Sequence, residues 1–199
     1  KRIVEFCNQV GIELEFLESP MFVVSRREFS EYNKSSKKPF MKTFYEQQRK
    51  NFQVMVDKNN KPTGGSWSYD KENRKKLPKD IKFNDFKKIK SNKVIEEVSL
   101  FVDKNFSDHP GSVDDFWMPT DRQESLKWLD HFITKNLPVF GDYQDAITSR
   151  SDFLFHSLLA PMINMGLILP SEIIDKVESV FLKDPETYKI NSVEGFIRQ

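Results

Sequence analysis

The first part of the chain combines a helical pattern with an alternating one. Residues 2–7 place apolar side chains at helical spacing, and Gly11 follows where a helix would end. Residues 12–17 then alternate apolar and charged side chains, which is the period of a half-buried strand. The pattern predicts a helix followed by a strand.

Two further helices are predicted before residue 56. Ser25 and Glu28 have the spacing of a capping box, so a helix is expected to begin after Ser25. A longer helix is expected after Pro39, because aromatic residues recur there at helical spacing. The order helix, strand, helix, helix predicts the edge of an α/β domain over residues 1–56, with its other strands missing from this sequence.

Residues 57–93 show no hydrophobic periodicity and contain turn-forming pairs such as Gly64-Gly65. A structureless stretch of this length is unusual inside one compact domain but ordinary between two domains. Residues 58–93 carry 12 Lys and Arg against 4 Asp and Glu, a net charge of +8. We therefore expect a connector, and its charge fits either a solvated linker or a strip that faces nucleic-acid phosphates.

From residue 94 onward the pattern is helical. Valines recur once per turn over residues 94–102, and residues 120–123 have capping-box spacing ahead of a second apolar stripe. Residues 153–165 are apolar on most sides and predict a buried helix that Pro161 would kink. Ser171 is expected to cap a further amphipathic helix.

Composition limits the classes of protein that fit. The 199 residues include 18 Phe, 5 Tyr and 3 Trp, enough large side chains for a core although only 38% of residues are hydrophobic. No apolar run approaches the roughly 20 residues of a membrane span, and no signal peptide is visible, so no membrane partner is expected. The single cysteine, Cys7, excludes a disulfide framework and fits a reducing compartment, which makes a cytoplasmic location the expectation.

Familiar catalytic motifs are absent from the sequence. Its three histidines are scattered, and it has no HExxH motif, no cysteine–histidine metal spacing, no GxGxxG and no Walker A loop. Pattern and composition alone therefore predict an α/β edge followed by a helical bundle. They leave the catalytic residues unknown and point to no metal site.

Several segments resemble the bacterial photolyase-related protein family, the branch of the photolyase/cryptochrome superfamily that holds iron–sulfur bacterial cryptochromes and prokaryotic (6-4) photolyases. Residues 17–22 and 44–50 carry part of this resemblance. The more specific segments are residues 62–75, 140–146 and 194–199.

The resemblance implies a predominantly helical chain in three parts. Residues 1–56 would be the C-terminal part of an α/β antenna domain, Rossmann-like in topology. Residues 57–93 would be an interdomain connector, and residues 94–199 the N-terminal part of an all-α FAD-binding domain. On this basis we expect the chain to be an internal stretch of a longer protein and, by itself, an inactive monomer.

The resemblance also implies a function. The family includes lyases that use reduced FAD to repair pyrimidine photoproducts in UV-damaged DNA by light-driven electron transfer. A cryptochrome-like blue-light photoreceptor that signals through a partner and a flavin-free interaction fragment remain alternatives, and the lesion type stays open. The family also carries a ribityl-lumazine antenna pigment and a 4Fe-4S cluster, whose four cysteine ligands cannot lie in a sequence with only Cys7.

Residues 156–161 resemble the turn that holds the FAD phosphates at a helix start in photolyases, where backbone N–H groups favour an anion. A tyrosine that contacts the same phosphates has its counterpart in the preceding loop, and two positions near the chain end fall beside the flavin and the lesion. The cofactor-binding candidates implied in this way are Tyr143, His156, Ser157, Leu158, Leu159, Phe196 and Gln199. The alternative is that such residues only pack.

Overall fold

The computed structural model describes residues 1–84, 86, 88–114 and 116–199, and this part of the chain is predominantly helical. Its α-helices are α1 (Arg2–Val10), α2 (Arg26–Ser35), α3 (Met41–Asn51), α4 (Lys93–Phe106), α5 (Arg122–Lys135), α6 (Leu137–Phe140), α7 (Ala160–Asn164), α8 (Pro170–Lys183) and α9 (Ile190–Arg198). Short 3-10 turns occupy Thr63–Gly65, Asp70–Glu72 and Gly141–Tyr143.

The hydrophobic core lies among α5, α6, α8 and α9. Leu129 and Phe132 of α5 are fully buried, as are Leu137 of α6, Val177 of α8 and Val193 of α9. Burying one such side chain contributes about 1.5–3 kcal/mol relative to leaving it in water. This packing fixes α9 against the core. α9 contains the cofactor-binding candidate Phe196, and the candidate Gln199 follows its last residue.

The ends of α1 and α2 follow the sequence pattern. Gly11 ends α1 in the left-handed conformation, with φ 70°. The Ser25 hydroxyl accepts a hydrogen bond from the Glu28 N–H at 3.2 Å, and the Glu28 carboxylate accepts one from the Ser25 N–H at 2.8 Å. The capping box and both helices are therefore confirmed.

Residues 12–17 do not form the predicted strand. In the described part of the chain, β-type pairing is limited to an isolated bridge between Val56 and Pro62, and residues 12–17 are solvent-exposed. A strand needs a neighbour that pairs with its backbone N–H and C=O groups, and the described residues place none there. The expected α/β unit with Rossmann-like topology is therefore not confirmed, whereas the mainly helical character is.

The described residues between α3 and α4 are irregular apart from two 3-10 turns, as the lack of periodicity predicted. Trp67 anchors it near α3, because the guanidinium of Arg49 lies 5.2 Å from the centre of the indole ring. Further along, Arg150 donates hydrogen bonds to the backbone carbonyls of Lys79 and Pro78 at 2.6 and 3.0 Å. The segment is therefore held against α3 through Trp67 and against the loop of Arg150 through Pro78 and Lys79.

Two helix starts differ from the sequence pattern. The N-cap of α5 is Asp121, whose carboxylate accepts a hydrogen bond from the Glu124 N–H at 2.9 Å, one residue after the predicted cap at Thr120. Aspartate caps at least as well as threonine, and its charge also favours the helix start. α8 begins at Pro170, before the expected cap Ser171, because proline suits the first helical turn.

The predicted buried helix over residues 153–165 is wrong in most of its length. Only α7, Ala160–Asn164, is helical there. Leu154 and Leu158 have positive φ values of 46° and 56°, which an α-helix cannot contain. Pro161 lies in the first turn of α7, so it removes no hydrogen bond and causes no kink. A short apolar run does not distinguish a buried turn from a buried helix.

α4 confirms the helix expected from the valine spacing, although none of its residues is buried. Val94 and Val98 remain largely exposed. None of the helices in the described ranges combines the length and apolarity that a membrane span requires.

Candidate functional site

The three segments that carry the most specific resemblance meet in one place. Asn73 of the irregular segment is buried, and its side-chain NH2 donates to the Gln144 side-chain oxygen at 2.8 Å. The Lys75 N–H donates to the Asp142 carbonyl at 3.0 Å, and the Asp145 N–H donates to the Asn73 carbonyl at 3.4 Å. We call this assembly of residues 69–75, 142–145 and 189–198 the polar junction.

Two glycines let the segments approach one another. A Cβ on Gly195 of α9 would lie 2.4 Å from the Asn73 side-chain nitrogen and 2.7 Å from the Gln144 side-chain oxygen. A Cβ on Gly141 would lie 2.5 Å from the Ser192 backbone nitrogen. Real Cβ atoms essentially never come within 3.0 Å of other heavy atoms. Position 141 therefore requires glycine because its neighbours are backbone atoms, whereas a side chain at residue 195 would displace the hydrogen-bonded side chains of Asn73 and Gln144.

Glu194 is the buried anion of the polar junction. Its side chain is fully buried and accepts hydrogen bonds from the Tyr45 hydroxyl at 3.0 Å, the Tyr69 N–H at 3.0 Å and the Arg198 Nε at 3.1 Å. Burial and the neighbouring Glu194 carboxylate raise the pKa of Tyr45 above its usual range, so this hydroxyl stays protonated and donates. Arg198 also pairs with Asp70 at 3.4 Å.

Asp142 is a second, almost buried carboxylate. Its two oxygens contact the Lys75 ammonium at 2.9 Å, the Asn191 side-chain nitrogen at 3.0 Å and the Lys189 ammonium at 3.3 Å. Burial opposes its ionisation, but the hydrogen bonds from Lys75 and Asn191 and the charge of Lys189 outweigh burial and lower the pKa of Asp142. Asp142 is therefore ionised at neutral pH.

Three of the sequence-predicted site residues surround two phenylalanines beside this junction. His156 and Phe196 both lie edge-on to Phe140, each with ring centres 5.7 Å apart. The Tyr143 ring lies 5.7 Å from the ring of Phe155, the residue before His156. The structure thus brings Tyr143, His156 and Phe196 into one neighbourhood.

His156 is half-buried, and its environment keeps it neutral at pH 7. Burial lowers its pKa below the ordinary value, and the charge of Asp145 and a hydrogen bond with the Gln144 backbone only partly offset that effect. A neutral imidazole offers one N–H donor and one acceptor nitrogen. Because its N–H is engaged with the Gln144 backbone, His156 can offer a ligand only its acceptor nitrogen and no net charge.

The remaining predicted residues lie in different surroundings. The Ser157 carbonyl accepts a hydrogen bond from the Trp128 indole N–H at 2.9 Å, which fixes the turn before α7, while the residue is only half-buried. Leu159 is buried and Leu158 packs on the core, so neither side chain is available to a ligand and only their backbone groups could bind one. Gln199 is exposed at the end of α9.

The donor set around the turn suits a phosphate-bearing cofactor. Hydroxyl groups come from Tyr143 and Ser157, and a cationic group comes from Lys75, whose ammonium contacts Asp142, the residue before Tyr143. The nearby Asp142 carboxylate is occupied by its own cationic and amide partners. Within the described ranges, no group of three or more His, Cys, Asp or Glu side chains is arranged to hold a metal ion.

Sequence reasoning missed the residues that build the junction. These residues all lie in or directly beside the segments of specific resemblance, yet no local pattern indicated their roles. They are Glu194, Asp142, Asn73 and Lys75. The sequence feature that could have indicated them is that these segments combine polar residues with glycine, a composition unusual for segments buried in an apolar core. Contacts between them could not be read from one segment alone.

Comparison with known proteins extends this picture. Over 194 residues the chain is 29% identical to the (6-4) photolyase of Agrobacterium fabrum, a match that covers 98% of this chain and 38% of that protein. It is 38% identical over 85 residues to one uncharacterized protein of Acanthamoeba polyphaga mimivirus and 44% identical over 57 residues to another. These two matches cover 41% and 29% of this chain, and 43% of each viral protein.

The chain thus spans about two fifths of the length of the curated relatives that it matches. Residues 1–118, more than half of the chain, match the family model described as deoxyribodipyrimidine photo-lyase-related protein. The chain belongs to the deoxyribodipyrimidine photo-lyase-related protein family.

Proposed function

We propose that this chain is part of a flavin-dependent, light-driven DNA photolyase that repairs UV-induced pyrimidine photoproducts. The observation that carries the proposal is the neighbourhood of Tyr143, His156 and Phe196 around Phe140 and Phe155. Tyr143, His156 and Phe196 come from three separate segments of the sequence and are assigned to the flavin site by resemblance. Membership of the photolyase-related family and similarity to an Agrobacterium (6-4) photolyase support the same proposal.

In this proposal the three parts of the chain have different roles. Residues 1–56 belong to an α/β antenna domain, and the exposed alternating pattern of residues 12–17 would pair with strands of a longer protein. Residues 57–93 connect the domains, and residues 94–199 form one side of the FAD site. A ribityl-lumazine antenna pigment and a 4Fe-4S cluster would be held by parts of a longer protein.

The phosphate groups of FAD would lie at the turn before α7. The Ser157 and Tyr143 hydroxyls can each donate to a phosphate oxygen, and the backbone N–H groups of the turn can add further donors. The neutral His156 keeps its single N–H on the Gln144 backbone, so it borders the turn without adding charge and donates nothing to the phosphates. Trp128 holds the turn in place through the Ser157 carbonyl.

The aromatic residues would order the rest of the site. Phe196 packs on Phe132 and Phe140, with ring centres 4.6 and 5.7 Å apart, so its position is set by the core. Bound, reduced FAD would supply the electron that a photolyase transfers to a pyrimidine photoproduct after absorbing light. The residues of this chain would bind and orient the cofactor and exclude water on one side, and DNA would be the partner.

The proposal is tested with the full-length gene product that contains this chain. We expect the purified protein to absorb blue light through bound flavin and to restore DNA that carries cyclobutane dimers or (6-4) photoproducts, in the light only. Flavin binding without repair of either lesion would favour the cryptochrome-like photoreceptor. A colourless protein that rejects added FAD would favour the flavin-free interaction fragment and would contradict the proposal.

A matched measurement uses the 199-residue chain. We expect it to retain little FAD, because tight binding of a large cofactor requires most of the ligand surface to be enclosed. Stoichiometric yellow flavin in the purified 199-residue chain would show that residues 1–199 enclose the cofactor by themselves.

A further inference from the structure

Asp142 has more cationic partners than its single charge requires. One carboxylate contacts two ammonium groups, those of Lys75 at 2.9 Å and Lys189 at 3.3 Å, and also the side-chain nitrogen of Asn191 at 3.0 Å. Lys189 and Asn191 together already place one cation and two donor groups at the buried carboxylate. Asp142, Lys75 and Lys189 therefore carry a net charge of one positive unit, which the nearby Glu72 carboxylate partly offsets.

The ammonium of Lys75 lies at the edge of the candidate site. It contacts the carboxylate of Asp142, the residue next to Tyr143, at 2.9 Å, and Tyr143 packs against Phe155 in the loop that leads to Ser157. The Lys75 side chain is 57% exposed, so two of its three N–H donors can reach a ligand while the third is held by Asp142. Its backbone is fixed as well, because its N–H donates to the Asp142 carbonyl at 3.0 Å.

Neighbouring arginines differ from Lys75 in this respect. Arg150 donates to the carbonyls of Lys79 and Pro78 and to the Thr148 hydroxyl, and Arg74 pairs with Asp70 and Asp145. Their charged groups hold segments of this chain together. Lys75 combines a fixed backbone, an oriented side chain and an excess positive charge beside Tyr143.

We propose that Lys75 is a phosphate-binding residue of the candidate flavin site and that Asp142 is the residue that positions it. The inference rests on the proposed function, because it takes FAD as the ligand at Tyr143 and Ser157. An ammonium oriented by a carboxylate is a point charge that donates strong hydrogen bonds to phosphate oxygens. The connector thereby contributes to cofactor binding as well as joining two domains.

The test compares Lys75→Gln with Lys76→Gln in the full-length gene product. Glutamine keeps a donor for Asp142 but removes the charge, and Lys76 is an exposed neighbour whose loss changes the net charge equally. FAD and riboflavin are each titrated by quenching of flavin fluorescence, at two salt concentrations. Riboflavin shares the ring system of FAD but has no phosphate.

We expect Lys75→Gln to weaken FAD binding by about 10- to 100-fold, as for loss of hydrogen bonds to a charged group. Riboflavin affinity should stay unchanged, and the salt dependence of FAD affinity should decrease. Lys76→Gln should leave both affinities within about twofold of the wild-type values. Lys75→Arg, which keeps the positive charge, should retain most of the FAD affinity.

Different failures lead to different conclusions. If the wild-type protein binds FAD and Lys75→Gln leaves the ratio of FAD to riboflavin affinity unchanged, Lys75 does not contact the phosphates and the inference is wrong. If Lys75→Gln weakens both ligands equally, its effect is on folding of the site, and the inference is again wrong. If the wild-type protein binds neither ligand, the proposed function itself fails and the inference fails with it.

Discussion

Glu194→Gln is the sharpest test of the polar junction. The carboxylate accepts from Tyr45 and Arg198 through one oxygen and from the Tyr69 N–H through the other. Glutamine has the same shape but only one acceptor oxygen. Its NH2 group must therefore face either the Tyr69 N–H or the pair formed by Tyr45 and Arg198. In both orientations a donor faces a donor in a fully buried position.

The expected cost follows from these contacts. Removing one partner of a buried ion pair destabilises a protein by about 3–5 kcal/mol. The lower part of this range applies, because Arg198 keeps Asp70 at 3.4 Å and its side chain is 26% exposed. We expect Glu194→Gln to reduce the free energy of unfolding by about 3 kcal/mol. Tyr45→Phe loses one hydrogen bond to a charged group and should cost about 2 kcal/mol.

Urea unfolding followed by circular dichroism measures both effects. Glu186→Gln is the matched control, because Glu186 is exposed and its substitution should change the free energy by less than about 0.5 kcal/mol. The double variant should show a coupling energy of at least about 1 kcal/mol between Tyr45 and Glu194. A loss below about 1 kcal/mol for Glu194→Gln, or zero coupling, would refute the reasoning that this carboxylate holds the junction together.

Three further predictions concern the turn, the junction and the start of α8. If the FAD phosphates lie at the turn as proposed, Ser157→Asp in the full-length protein would place a negative charge about 4 Å from a phosphate. This costs about 4 kcal/mol at an effective dielectric near 20, so FAD affinity should fall close to a thousandfold. Ser157→Ala should reduce the free energy of FAD binding by only about 1 kcal/mol. Wild-type FAD affinity in a well-folded Ser157→Asp protein would contradict the placement of the phosphates at this turn. Gly195→Ala should lower the free energy of unfolding by about 1–3 kcal/mol, because its Cβ would lie 2.4 Å from the Asn73 side-chain nitrogen; an unchanged urea midpoint would show that the helix is not so close. The hydrogen bond from Arg122 lowers the pKa of Glu172 from 4.5 to about 2, so this pair stabilises the fold above pH 4.5 and the contribution is lost as pH falls toward 2. Because both side chains are partly exposed, Arg122→Ala should lower the free energy of unfolding only modestly at pH 7 and much less at pH 2, and a pH-independent cost would contradict that linkage.

Features that depend on a few neighbouring residues were predictable from the sequence. The left-handed Gly11 at the end of α1 and the capping box of Ser25 and Glu28 need only contacts within one turn. The valine spacing of α4 is equally local. Where two adjacent residues can both cap a helix, as Thr120 and Asp121 can, the sequence determines the helix but not its first residue.

Features that depend on distant contacts were not predictable in this way. Tyr45 and Glu194 are 149 residues apart in sequence, and Asn73 and Gln144 are 71 apart. Hydrophobic periodicity covers windows of roughly 11–18 residues, so it contains no information on such pairs. Family resemblance located the segments and the candidate residues of the turn, and only the three-dimensional arrangement related them to Asp142 and Lys75.

The same distinction explains the strand predicted for residues 12–17. Alternation of apolar and charged side chains reports that one face is suited to burial, and it says nothing about whether a neighbouring strand is present. In the described chain these residues are exposed and unpaired with any strand. The alternating pattern therefore indicates a segment suited to pairing with a neighbouring strand. The proposed antenna domain of a longer protein would supply that strand.

The connector shows why net charge is a poor guide to the role of a segment. Its charge of +8 comes largely from exposed lysines such as Lys71 and Lys76, and this composition is typical of a solvated linker. Its contacts with α9 are made instead by the Tyr69 N–H, which bonds Glu194, and by the buried side chain of Asn73. Glu194 and Phe196 belong to the same short helix, so these contacts help to set where the Phe196 ring lies in the candidate site. Substitutions at Tyr69 or Asn73 should therefore affect the candidate site through the position of α9, whereas loss of exposed lysines such as Lys71 and Lys76 should leave that position unchanged.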